Sequence, residues 1–511
     1  MELLTNLYHQ LETDRTEWVE RGVRNAVLTI PTVFPREGVS RHRLPQNFQS
    51  IGAKGVNMLT SKLMLTLFPP TMPFMRLVVT EQDRARLEQS EGLEGIAALD
   101  QELNRIEKQA LSKFDKSGWR PAIAEAMRLL VVTGNALIYD RPGGLPAAYS
   151  LHNYAVARDD DGTLQAVILK QGLSREGALM QLGEEAVAAI DKIQRDKTGS
   201  QRMLESFSVF TGAIRTEKGD FEFREEVEGL PVSDPVTLKP EDLPLIPLRF
   251  AAEPQCSYGR SYVEDYDGHL LSLERLSRSI TESALSMAKT IWAVRPNSIM
   301  KPQVLAKTPN LGIVAGDPAD VGVIRTDKGY DMNFAMAQRD RIVAELQGSF
   351  LLNSSIQRSG ERVTAEEIRI MAQELEDALG GVYTSLADTV QAPIVFYLFR
   401  KMKREREITL PKEVEPAIAT GLDAISRNHM VGRIAQMFGT MMQIVGPDRV
   451  SEIINVRNVA TDLATGYNLD AARYVLTEEE LAQQQEEQMR AMMAQQAVGP
   501  AIDASIQQQA Q

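Results

Sequence analysis

Apolar residues recur at spacings of three and four along most of this chain, and the departures from that period mark its strands and loops. In the first 140 residues a helical period runs over Leu3–Asn25, with Trp18 and Val19 on the apolar side. It runs again over Gln46–Phe68, where Ile51, Val56, Leu59, Leu63 and Leu67 share a face until Pro69 and Pro70 stop it. Leu93–Lys116 and Pro121–Val132 predict two further helices, Pro121 being suited to a first turn. Arg76–Thr80 and Ala136–Tyr139 predict short strands.

Between residues 141 and 260 the period shortens to two. Tyr154–Ala157 and Thr163–Leu169 flank Asp159-Asp160-Asp161-Gly162, and Ser206–Arg215 and Phe221–Val227 flank Lys218-Gly219-Asp220, so two hairpins are expected. Arg175–Lys197 between them predicts a helix, and the prolines from Pro231 to Pro254 predict a loop-rich connection. The helical period then returns strongly over 267–292, with Leu273, Leu276, Ile280, Ala284, Met287 and Ile291 on one face and many Ser and Thr elsewhere. Residues 293–332 read as a small β-containing insertion. Asn333–Leu352 reads as the returning helix, anchored by Phe334, Ile342, Leu346 and Phe350. Leu273, Leu276, Ile280, Ile342 and Leu346 are thus the candidates for packing this helix pair.

A polar loop, 353–363, leads into a long helix over 364–410. Thr364 with Glu367 forms a capping box, and Ile368, Met371, Leu375, Leu379, Val382, Leu386, Val390 and Ile394 make its apolar face. Gly380-Gly381 and Pro393 predict two kinks. Glu415–Asn468 reads as helical, with Met430, Ile434, Met437 or Phe438, and Met441 on a stripe that reads as core packing in preference to an adaptable docking face. Thr477 with Glu480 offers another capping box, and the Gln-rich run to Gln511 reads as a helix giving way to disorder.

Composition narrows the function classes. The 511 residues hold about three to four domains by length alone. No uncharged apolar run approaches the roughly 18–20 residues that span a bilayer, and Met1-Glu2-Leu3 does not begin a secretory signal, so no membrane partner is expected. Cys256 is the one cysteine, which leaves no intrachain disulfide. A formal net charge of −13 argues against a protein that grips nucleic acid, because neutralising phosphates requires Lys and Arg. It does not argue against a wall past which nucleic acid slides.

Candidate chemistry is sparse. No Gly-Lys dipeptide occurs, so a Walker loop is absent, and neither a His-Glu-x-x-His nor a Gly-x-Ser-x-Gly motif is present. His9, His42, His152, His269 and His429 are scattered without metal spacing. An EF-hand starting at Asp159 would need Gly and Glu where Leu164 and Lys170 stand, which leaves a solvated turn. Arg400, Lys401, Lys403, Arg404 and Arg406 suit the end of a helix dipole. No catalytic residue, metal or cofactor is expected.

Two strings carry more than pattern. Ser359 to Ile368 contains ERVTAEEI, and ELEDALGGVYTSLADTVQAPI follows over 374–394. Together they resemble the portal, or head-to-tail connector, proteins of short-tailed bacteriophages. Arg43 to Asn57 and Tyr258-Gly-Arg-Ser261 with Val263 to Tyr266 resemble the same family in the same order. The resemblance implies a predominantly helical α+β protomer that assembles into a ring, dodecameric in that family. It implies a wing of 1–266 with 364–410 contributing, stem helices 267–292 and 333–352, a clip at 293–332, a tunnel loop at 353–363, and a crown at 411–475. Residues 476–511 would form a C-terminal helix and tail. Asn353, Ser354, Ser355, Gln357, Arg358, Glu361 and Arg362 would line a channel for double-stranded DNA, read without sequence specificity. The implied partners are a packaging ATPase (the terminase large subunit), tail adaptor proteins, and capsid and scaffolding proteins. The implied place is the head–tail vertex of the virion, after synthesis in the bacterial cytoplasm. Two other classes fit parts of the pattern: another phage ring or adaptor protein, and a metal-dependent nuclease with scattered carboxylates.

Overall fold

The computed structural model describes residues 3–40, 43–70, 73–79, 81–195, 206–288, 291–309, 312–324, 329–352, 365–409, 414–418, 436–441, 443–444 and 459–460. The chain divides into two compact units, Met1–Thr420 and Gly421–Gln511. In the second unit the described residues are a helical piece at 436–441 and the short runs beyond it, with Met437 exposed. Met430 and Ile434 of the methionine stripe, the second capping box and the Gln-rich tail lie outside the described residues.

The first unit begins with α1 (Leu4–Leu28) and α2 (Ile51–Leu67), then β1 (Met75–Val79), α3 (Glu81–Lys116), α4 (Trp119–Thr133), β2 (Asn135–Tyr139) and β3 (Ala147–Tyr149). Helix α3 starts twelve residues before the expected Leu93. The segment ahead of that leucine is charged and lacks an apolar stripe, yet Glu, Gln and Arg are good helix formers. Next come β4 (Tyr154–Arg158), β5 (Leu164–Leu173), α5 (Arg175–Leu182), α6 (Glu184–Arg195), β6 (Phe207–Arg215) and β7 (Phe221–Val227). The single helix expected over Arg175–Lys197 is two, because Gly183 takes a positive φ of 84° that ends α5.

The proline-rich connection contains more order than expected: β8 (Leu230–Pro231), β9 (Val236–Leu238), β10 (Leu245–Arg249), β11 (Ala251–Ala252) and β12 (Gly259–Arg260). Strand β10 carries Pro247 but lies at the edge of a three-stranded sheet of order β10-β2-β3, where a missing N–H costs little. Strands β4 to β8 form an antiparallel six-stranded sheet with β9 beside β7. One face of this sheet is covered by the start of α1, where Leu4 and Tyr8 meet Ile168 and Phe210. Val167, Leu169 and Ala213 on the other face join the main core with Leu137, Ile138 and the helices.

The rest of the unit comprises α7 (Asp267–Ala288), β13 (Ile291–Val294), α8 (Pro302–Lys307), β14 (Val321–Ile324), α9 (Gly329–Ser349), α10 (Ala365–Leu379), α11 (Gly381–Leu386), α12 (Ala392–Arg404) and β15 (Val414–Ile418). The helix expected to reach residue 292 ends at Ala288, and Ile291 and Trp292 belong to a strand paired with β14. The long helix is interrupted near both places its sequence marks. Gly380 adopts φ 58° between α10 and α11. A π-helical turn over Ala387–Gln391 precedes Pro393, which has no N–H for the carbonyl four residues back. Gln391, the last residue of that turn, is buried, and its Nε2 donates to the Leu67 carbonyl at the end of α2 at 2.5 Å. The helix expected from Glu415 does not begin there: Val414–Ile418 pairs antiparallel with β1, Pro416 standing opposite Leu77. A proline is compatible with such a two-stranded edge and not with a helix interior.

Candidate functional site

Helices α7 and α9 bracket the insertion made by β13, α8 and β14, so the chain leaves the body of the unit and returns to it. Their inner ends are firmly seated. Leu273, Ile342 and Leu346 are buried in the main core, and Phe350, immediately after α9, is fully buried. Phe350 meets Tyr262 edge-on at 5.5 Å between ring centroids and Tyr266 at 5.5 Å. The Tyr262 hydroxyl donates to the Ser349 carbonyl at 2.6 Å. On α2, Gly55 admits the ring, since a Cβ there would lie 2.5 Å from Phe350 Cγ. His269 and Glu345 face one another across the pair at 3.5 Å.

The outer ends differ. Leu276 and Ile280 are half-buried, and Ala284, expected on the packed face, is exposed. Leu285 is 61% exposed, Trp292 56%, Phe334 71% and Tyr330 88%. Phe334, expected as an anchor, is therefore largely uncovered by the described residues. The apolar period continues along both helices beyond the point where the described residues supply a partner. Concentrated apolar exposure of this kind is a mark of an interaction surface.

The connection from α9 to α10 was expected to carry the channel-lining residues. Asn353, Ser354, Ser355, Gln357, Arg358, Glu361 and Arg362, and Thr364 of the capping box, lie outside the described residues. Its two ends are described. After α9 the chain closes with the Leu351 N–H on the Gly348 carbonyl at 3.1 Å and the Leu352 N–H on the Gln347 carbonyl at 2.8 Å. This is a Schellman cap, and its left-handed position is taken by Leu351 at φ 55° where glycine is usual. On the far side, Glu374 of α10 accepts from Lys62 Nζ of α2 at 2.7 Å, and the same ammonium donates to the Leu351 carbonyl at 3.3 Å. Lys62 was not singled out in the sequence. The signal that finds it is a lysine set within the apolar run of α2, between Leu59 and Leu63.

The other charge-bearing motifs have partners within the chain. Arg400 pairs with Glu241 at 2.8 Å, and Lys401 with Asp140 at 2.6 Å. Asp140 also accepts from the Tyr397 hydroxyl at 2.7 Å. Burial, and secondarily this carboxylate, hold the Tyr397 hydroxyl well above its ordinary range. The Asp159–Gly162 stretch is the turn of a β-hairpin, closed by Gly162 N–H on the Asp159 carbonyl at 2.8 Å and by Thr163 N–H on Asp161 Oδ1 at 2.8 Å. Among the described residues no group of three or more His, Cys, Asp or Glu is placed to hold a metal ion. Among the described residues no helix is long and apolar enough to cross a membrane.

A body of mixed sheets and helices, a helix pair carrying an insertion, and apolar surface left over along that pair describe a structural, assembly-forming protein. The comparisons with known proteins specify which. The family model for the bacteriophage head to tail connecting protein matches residues 2–475, and the chain belongs to that family. The portal protein of Escherichia phage T7 is 35% identical over 497 residues, covering 95% of this chain and 90% of the relative. That of Enterobacteria phage T3 is 34% identical, covering 93% and 88%, and that of Enterobacteria phage SP6 is 27% identical, covering 99% and 96%. A solved neck of an empty gene transfer agent particle is 11% identical with a TM-score of 0.37, covering 76% of this chain and 86% of that one. Portal proteins are structural connectors, and the role of this one is at the head–tail vertex of the virion.

Proposed function

We propose that this chain works as a closed, dodecameric ring through which double-stranded DNA enters the head and later leaves it. The observation that carries this reading is the family match over nearly the whole chain. The uncovered apolar residues on the outer parts of α7 and α9 support it, because a head-to-tail interface closed by rotation would give each of them a neighbour. In this reading residues 1–266 with 364–410 make the wing, α7 and α9 the stem, 293–332 the clip, 353–363 the tunnel loop and 411–475 the crown. The clip would receive a separate packaging ATPase and afterwards tail adaptor proteins, while capsid and scaffolding proteins would meet the wing.

A net charge of −13 per chain keeps DNA dwell times on such a channel short, because few phosphate counterions are displaced. Arg358 and Arg362 would be the basic points it passes. The chain itself performs no catalysis in this reading, and the energy for DNA movement comes from the ATPase. Electron microscopy of the purified protein tests the proposal: rings with a central hole are expected, and a uniformly monomeric protein at micromolar concentration would overturn it. Arg358→Ala with Arg362→Ala tests the loop: assembled rings are expected to persist while the fraction of filled heads falls. Filled heads at the normal fraction would remove the loop's DNA role.

A further inference from the structure

We propose that Lys62 is a positioning residue that holds both ends of the connection between α9 and α10, and so determines where residues 353–364 are carried in the ring. The inference rests on the reading of that connection as the channel loop for its significance, and on the two bonds of the Lys62 ammonium, to Glu374 and to the Leu351 carbonyl, for its geometry.

Lys62 is 4% exposed, on a helix whose neighbouring Leu59, Leu63 and Leu67 are buried in the main core. A lysine in such a place is costly to desolvate unless its ammonium is paired and hydrogen-bonded. Both conditions are met by groups on opposite sides of one connection. The Leu351 carbonyl belongs to the cap that ends α9, two residues before position 353, and the Glu374 carboxylate lies in the third turn of α10. A leucine or methionine at position 62 would pack against the same surroundings but would hold neither end. The left-handed Leu351 points the same way. A branched side chain adopts that conformation at a cost, and a bond to its own carbonyl is a direct means of keeping it there. The Phe350 ring set against Gly55, about two turns earlier on the same helix α2, fixes the adjoining residue. Helix α2 is thus the common base on which the entry and exit of the connection are set.

The test uses the assembled full-length protein. Arg358 and Arg362 are tryptic sites within the connection, and cleavage after them is followed by mass spectrometry well below the unfolding temperature. Lys62→Met and Glu374→Gln are each expected to raise the cleavage rate at these two sites several-fold. Val167→Ala, a cavity in the six-stranded sheet, is the control for general loss of stability and is expected to leave that rate unchanged. The double variant Lys62→Met with Glu374→Met is expected to cleave like Lys62→Met alone, since the tie is already lost. A wild-type rate in Glu374→Gln, or an equal rise in Val167→Ala, would overturn the proposal, and Glu374→Gln keeps the test decisive if Lys62→Met does not fold. Cleavage does not depend on DNA, so raised cleavage together with normal filled heads in the Arg358 and Arg362 variant would sink the channel reading and leave the positioning role standing.

Discussion

Single residues show how this fold tolerates polar groups at its layer boundaries. Glu225 lies on β7 directly across from Thr211, on the face turned toward β2, and burial pushes its carboxyl up to about 7. The nearby Tyr139 hydroxyl is buried, and its own pKa is raised by desolvation and then by Glu225. A carboxyl whose folded pKa exceeds its unfolded value binds more protons when folded. Its contribution to stability is therefore complete below pH ~4.5 and is lost as the pH rises toward about 7. Glu225→Gln should remove that slope and raise stability at pH 8 by on the order of 2 kcal/mol, with little change at pH 4.5. Thermal unfolding at the two pH values checks this, and an unchanged unfolding temperature at pH 8 would show that the carboxylate is solvated in the folded state. Asp140 takes the other course, with Lys401 and Tyr397 both on its Oδ2. Nothing in the sequence linked positions 140 and 401. The basic run read as a solvated helix end, and only the tertiary fold reveals its partners.

At the scale of elements, what was legible followed the period. The two central hairpins appear with β6 and β7 within one residue of expectation, because alternating apolar residues flank a Gly-containing turn in each. The interruptions near Gly380 and Pro393 were legible for the same local reason. Strands β3, β10 and β15 were not, since short pieces rich in Ala or Pro depend on a partner strand for their identity. The helix pair was legible as a pair, but its stripe did not tell which residues are covered within the chain. Ile342 and Phe334 separate the two cases. Ile342→Asp should cost the isolated chain roughly 3–5 kcal/mol by placing an unpaired charge in the core. Phe334→Asp, at a site 71% exposed, should change chain stability by no more than about 0.5 kcal/mol but prevent rings from forming. Chemical unfolding of each variant, set beside particle counts in electron micrographs, checks both. Equal stability loss in the two would mean that α9 is covered along its whole length by its own chain.

For the molecule as a whole, the pairing of β1 with β15 joins residue 75 to residue 418 across more than three hundred intervening positions. Loop-closure entropy makes such a contact slow to form, and contacts of this separation come late in folding. The consequence concerns synthesis. While the ribosome is still making the helix pair and its insertion, β1 is an unpaired strand of alternating apolar residues, Met75, Leu77 and Val79, able to join another chain's strand. The strand that satisfies it emerges only after more than three hundred further residues have been made. A nascent chain is thereby held back from completing this body until residues 414–418 have been made, and a fragment released before residue 414 would be prone to aggregate. The order of translation itself thus becomes a safeguard against rings that incorporate unfinished subunits.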